Sequence, residues 1–415
     1  MRRMGYLLLG HLVLLLTACP GPGADGTGTG GTQVTVRLED PRNALLKALY
    51  RVGSDPWRTL TFQNAQASFR APESSEYEVA ARCAGPEPFL LFHKARVSQT
   101  RSLSLVCSAE GGPPTVPFTL NVQLPSQIGA RPVQDGDLVF AYLGPSELQG
   151  TVSSGAATVN LSLPTGRQTL LVSVFRISGS PPSSLVPIGG RLVGVEVVSG
   201  GSSSVDAQGW QAFTPRSIAA SLPPGFQPEP VPLVAFFKDG MKSFGVAGAF
   251  DRYGVLPDAG GVYLGILLAR SGSLPNQERL VVFKDTGGQD WNANPPQPWG
   301  AGQFTPSGTR FTFGRTDAQA YLLELQGLVR DSATALKVHV HLHGGFTSYE
   351  LPSLGQELNY TLAPANSEVS YEVTAAVRGS IGFVSQNLAP GAPSEALLRN
   401  IDIALAVKGG TYRLP

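Results

Sequence analysis

Charge is scarce in this chain of 415 residues: Asp, Glu, Lys and Arg make up 15% of it, against roughly 25% in an ordinary soluble domain. The 31 basic and 30 acidic residues nearly cancel. No Lys/Arg run supplies the local positive field that a nucleic-acid binder needs, so that class of partner is excluded. Histidine (5) and cysteine (3) are few, which rules out a cysteine-rich scaffold or a multi-cluster metalloprotein. The chain has no Gly-rich phosphate loop, Gly-x-Ser-x-Gly elbow, Cys-x-x-Cys or His-Glu-x-x-His, and therefore no local signature of the enzyme classes built on them. Its hydrophobic runs also fall short of the roughly 20 residues of a membrane-spanning helix.

What is abundant is glycine and proline, 49 and 34 residues. Together they form about a fifth of the chain, where average usage gives about an eighth. The hydrophobic fraction of 42% still suffices for packed cores, so turn-punctuated β structure is expected and wholesale disorder is not. At this length the chain should divide into two to four domains.

The N-terminus carries an address. Arg2 and Arg3 precede an apolar run from Tyr6 to Leu16, about eleven residues with Gly10 and His11 inside it, the pattern of a secretory leader. Leu16-Thr17-Ala18-Cys19 follows and resembles the lipobox of bacterial lipoproteins. That resemblance implies removal of residues 1–18, acylation of Cys19 and anchoring through membrane lipid on the non-cytoplasmic face of a bacterial membrane. Several acyl chains at about 0.8 kcal/mol per buried methylene would hold such a protein firmly. Pro20 to Thr32 is nearly all Pro, Gly, Ala and Thr, so residues 19–32 form an anchor and flexible tether. Loss of the leader removes Arg2 and Arg3 and no acid, leaving 29 basic against 30 acidic side chains and no polybasic second membrane contact.

Beyond residue 32, period-2 alternation marks strand after strand. A first module is expected at 33–110, with Val34, Val36 and Leu38, then Tyr77, Val79, Ala81 and Cys83, then Leu103, Leu105 and Cys107, each set on one face. Cys83 and Cys107 are the even pair that remains in an exported chain and should form a disulfide. Closing about 25 residues, it would contribute about 3 kcal/mol on the chain-entropy model. With Trp57 nearby, this unit resembles the immunoglobulin-like sandwich, although the order here is Trp, Cys, Cys. A second module is placed at 115–205, closed by a linker-like Gly200–Ser204 run. The proline-rich 223–232 segment is a boundary, and modules at 230–330 and 331–415 follow, the last two also readable as one domain. The only helix expected lies around 394–399. Ser68–Pro72 with Tyr77–Ala81 and Tyr360–Pro364 with Tyr371–Ala375 look like two copies of one hairpin. The fold class is all-β: three or four immunoglobulin-like or related β-sandwich modules in tandem.

Two features are candidates for chemistry. In Val338-His339-Val340-His341-Leu342-His343, a strand places His339, His341 and His343 on one face. Neighbouring pairs could hold one zinc or copper ion, whereas the outer two stand about 6.6–6.8 Å apart on a straight strand. The plainer account is a solvated strand face continuous with Lys337. His93, inside Phe89-Leu90-Leu91-Phe92-His93, is read as structural. The second feature is the proline-rich loop between Trp291 and Trp299: the favoured reading is that both indoles fold back over the sheet and seal a core edge, and the alternative is that exposed indoles stack on sugars or grip a peptide. The preferred function is a non-catalytic envelope lipoprotein, structural or binding, needing no cofactor, with an envelope protein or glycan as partner. The alternatives are a metal-binding protein or metal-dependent hydrolase built on the histidine row, and a carbohydrate-binding surface protein built on Trp291 and Trp299.

Overall fold

The computed structural model describes residues 31–108, 114–141, 149–179, 184–229, 231–242, 244–332, 334–379 and 395–415. The leader, Cys19 and nearly all of the tether lie outside them. Strands dominate, and one short helix, Glu395–Leu398, is the α-helix among the described residues. No helix among them is long and apolar enough to cross a membrane. Alternation in sequence becomes alternation in burial: Gln66–Ala71 exposes and buries successive side chains, and so does Ala156–Pro164.

The described residues form four hydrophobic cores. The first holds Val34, Val36, Phe69, Tyr77, Val79, Leu103 and Leu105 around the cysteines. One of its layers is Thr32–Glu39, antiparallel to Gln66–Ala71 and parallel to Ser102–Val106. The other is Leu45–Val52, Glu76–Cys83 and Phe89–Arg96. Cys83 and Cys107 are joined in this core with Cα atoms 5.2 Å apart. Trp57 does not cover them. It lies under the Arg51 guanidinium, 4.8 Å from ring to charge, at the margin of a different core.

The second core lies between a sheet containing Thr115–Gln123 and Ala156–Pro164 and one containing Gly166–Ser178 and Ser184–Val197. Leu170, Val172 and Val174 point into it, whereas Leu171 and Phe175 enter the third core, which holds Phe236, Tyr253, Leu264 and Trp291. Both faces of this long hairpin are covered, which is why Leu170–Phe175 is largely a continuous apolar run instead of an alternating one.

Strand pairing crosses several of the expected boundaries. Gly201–Val205 is a strand parallel to Thr115–Gln123 and not a linker; its serines alternate with buried or half-buried neighbours. The 330/331 division falls in the turn of a hairpin, Ala320–Arg330 with Ala335–His343. Glu278–Asp285 pairs with Asp402–Arg413, so one sheet takes strands from both halves of 230–415. They also reach the first module, because Phe89–Arg96 pairs in parallel with Ala335–His343. The suggested repeat is not a repeated hairpin. Gln66–Ala71 and Glu76–Cys83 lie in different sheets, and Thr361–Leu362 and Glu368–Arg378 pair with opposite ends of Ala320–Arg330.

Replacing Cys83 and Cys107 together by alanine should lower the unfolding free energy by about 3 kcal/mol, because it releases the constraint on a 24-residue separation in the unfolded chain. Urea melts of oxidised wild type and the double variant measure it; equal midpoints and slopes would contradict that role for the bridge.

Candidate functional site

The site begins with the alternation of Ala335–His343. Val338, Val340 and Leu342 are fully buried against Leu323, Phe313 and Tyr321 in the fourth core. That fixes the register, and the odd-numbered histidines must take the opposite face. The opposite face is not solvated as the sequence suggests, for the parallel neighbour Phe89–Arg96 brings His93 level with His341. His93 and His341 are 4% and 7% exposed, and His343 is half-buried.

Three imidazoles therefore converge. His93 Nδ1 and His343 Nε2 are 3.0 Å apart in a hydrogen bond. The His93 ring lies 4.5 Å from that of His341 and 5.3 Å from that of His343, nearly parallel to the latter. One ring nitrogen from each of His93, His341 and His343 can be chosen so that all lie within 4.8 Å of one another. His93 Nε2 and His341 Nδ1 are buried with no hydrogen-bond partner, each a cost of about 1–3 kcal/mol if nothing satisfies it.

Burial pushes the pKa of all three rings down. His93 and His341 go well below the ordinary 6.5, with charge on neighbouring histidines adding to the effect of burial. Burial takes His343 to about 4. At neutral pH the three rings are uncharged, the form in which imidazole binds a metal ion. His339 stands apart: it is level with Leu91, its ring meets Phe89 edge-on at 5.2 Å, and its Nδ1 lies 3.2 Å from Glu324 Oε1.

The metal-ligand trio read from the sequence, His339, His341 and His343, is thus rearranged. His341 and His343 remain, His339 pairs with a carboxylate, and His93 takes its place. The available signal was parity, since Leu91, His93 and Ala95 share a face. A parallel contact between strands some 250 residues apart leaves no local trace in sequence.

The tryptophan loop has a different character from the one expected of a binding platform. Trp291 and Trp299 are 3% and 5% exposed. Trp299 donates its Nε1–H to the Ala406 carbonyl at 3.0 Å, with the Arg315 guanidinium 5.5 Å from its ring. Trp291 is set by a short strand, Trp291–Ala293, parallel to Thr214–Ala220, and lies on Gly265. With their faces committed to cores, neither indole is free to stack on a sugar.

No protein-family model matches the chain, and no curated protein matches it. Among solved structures, the Bacillus anthracis TIE protein aligns over 92% of this chain and 73% of its own, with 8% identity and a TM-score of 0.15. A likeness of that size carries no argument about fold or function.

Two outcomes are expected. In EDTA, unfolding takes up protons at His93, His341 and His343 once the pH is below 6.5. Their stabilisation is therefore complete above that value and declines as pH falls toward about 4, where His343 charges in the folded state. His343→Gln should flatten the stability profile over that window by up to one proton, about 1.4 kcal/mol per pH unit; denaturant melts at stepped pH with unchanged slope would refute it. At Gly265, a Cβ would sit 2.7–2.8 Å from the Trp291 ring. Gly265→Ala should therefore cost about 1–3 kcal/mol through overpacking, visible as a lower thermal midpoint and altered tryptophan fluorescence.

Proposed function

We propose that this chain is a bacterial cell-envelope lipoprotein: exported, trimmed before Cys19, held by acyl chains on that residue, and carrying its β-sheet body beyond a flexible tether. Its role is structural or binding, not catalytic. The sequence support is Arg2 and Arg3, the apolar run from Tyr6 to Leu16, and the box Leu16-Thr17-Ala18-Cys19. The observation that carries the reading from outside that segment is the Cys83–Cys107 disulfide. A bridge closed within a core fits an oxidising compartment and is rare where cytosolic thiols stay reduced.

The partner in this reading is membrane lipid at Cys19, with an envelope protein or glycan engaged by exposed loops. Trp291 and Trp299 do not serve that contact, since both are buried. The near balance of acidic and basic residues gives anionic lipid headgroups little to attract, so attachment rests on the acyl chains and not on charge.

Bacteria producing the full chain and fed labelled palmitate test the reading. Wild type should incorporate label and fractionate with membranes. Cys19→Ser should carry no label and retain residues 1–18, seen as a heavier intact mass. An unmodified Cys19 in the wild-type product would refute the lipoprotein assignment.

A further inference from the structure

We propose that His93, His341 and His343 bind one late first-row transition-metal ion, zinc in the first place, and that the ion braces the parallel junction between Phe89–Arg96 and Ala335–His343. This inference goes beyond the lipoprotein reading and does not rest on it.

The geometry is close to a coordination sphere before any ion enters. Four nitrogens around zinc at 2.0–2.1 Å are separated from one another by about 3.3–3.4 Å. His93 Nδ1 and His343 Nε2 are already 3.0 Å apart, and the three ligand atoms lie within 4.8 Å of one another. The two strands hold the rings to one face: His341 and His343 by period 2 along one strand, His93 by its parallel register with His341.

The donor set also explains an otherwise costly arrangement. A stack of three neutral imidazoles satisfies one pair of ring nitrogens through the His93–His343 bond and leaves His93 Nε2 and His341 Nδ1 buried without partners. Buried polar groups are rarely abandoned in this way; each ring gives an ion one nitrogen, so an ion held by His93 Nδ1 and His343 Nε2 can take the lone pair of His341 Nδ1 and thereby relieves one of the two. Imidazole alone, with no thiolate, favours zinc, copper or nickel over calcium or magnesium. The half-buried side of His343 leaves a fourth position for water. Because His93 and His341 come from strands some 250 residues apart that pair in parallel, a shared ion cross-links the first module to the last.

The full chain, solubilised in detergent and stripped with chelator, tests this by calorimetric titration with zinc chloride. One zinc per chain, retained through dialysis and raising the thermal midpoint, is expected. His93→Asn and His343→Asn should each weaken zinc binding at least about tenfold, and His339→Asn should leave it unchanged. Cobalt in place of zinc should give visible absorption that His343→Asn abolishes. Near-ultraviolet circular dichroism reports whether each variant folds; should His93→Asn unfold, His343→Asn at the half-buried position decides. Zinc uptake well below one equivalent, uptake undiminished in His343→Asn, or uptake lost equally in His339→Asn would overturn the assignment. None of these results depends on whether Cys19 is acylated.

Discussion

Between Phe89–Arg96 and Ala335–His343 the chain closes a loop of about 250 residues. On a flexible-chain estimate that closure costs about 5 kcal/mol, and a parallel ladder is slightly weaker per residue than an antiparallel one. Side chains around the ladder offset the deficit. Arg82, on the strand beside it, donates to the Leu358 carbonyl at 2.9 Å and pairs with Asp331 at 2.8 Å. Both of those residues lie in the C-terminal region, and the Arg82–Asp331 pair is largely shielded from water, where a charge-assisted bond is stronger than at an exposed surface. Glu87 and Lys337 form a second, exposed pair at the start of the ladder, worth little by itself. Leu90 and Phe92 send their side chains into the fourth core beside Val338 and Val340, which gives the junction an apolar interior on the face opposite the histidines.

The histidine cluster follows from that junction. If the parallel register slipped by one residue, His93 would turn to the other face and His341 would lose its neighbour. Register is held here by Val338, Val340 and Leu342, none of which can leave the core without exposing a large apolar side chain. The cluster's neutrality follows in turn, since burial of all three rings suppresses protonation at ordinary pH. Apolar packing on one side of a strand thereby dictates the electrostatics on the other.

Local pattern was legible in the sequence, and long-range pairing was not. Val34, Val36 and Leu38 announce a strand by alternation, and Cys83 and Cys107 announce a bond by being the pair left over once Cys19 is set aside. The short helix at Glu395–Leu398 falls within the 394–399 expectation. The serines of Gly201–Val205 look like a linker because edge-strand polarity and linker polarity are the same in composition; only the partner strand at Thr115–Gln123 distinguishes them. His93 was passed over for the reverse reason. Its apolar neighbours Leu90, Leu91 and Phe92 mark a buried strand, and nothing within that strand indicates that a second one, bearing histidines, lies alongside. Trp291 and Trp299 are buried, as the favoured structural reading has them; what the sequence does not show is their seats, Gly265 and the Ala406 carbonyl.

Shared cores bear on how the body behaves as a unit. In a string of independent modules each core is closed by its own residues, and one module can open while the next stays folded. Here the Gly166–Ser178 and Ser184–Val197 hairpin gives Leu170 and Val172 to one core and Leu171 and Phe175 to the next. Asp402–Arg413 likewise divides Ile403 and Leu405 from Ala406 between the third and fourth cores. Opening any one core strips apolar cover from a neighbour, at about 25 cal/mol for each Å² exposed, so partial unfolding is penalised twice. Binding loops on such a body would then be oriented by the shared cores, and not by linkers between modules.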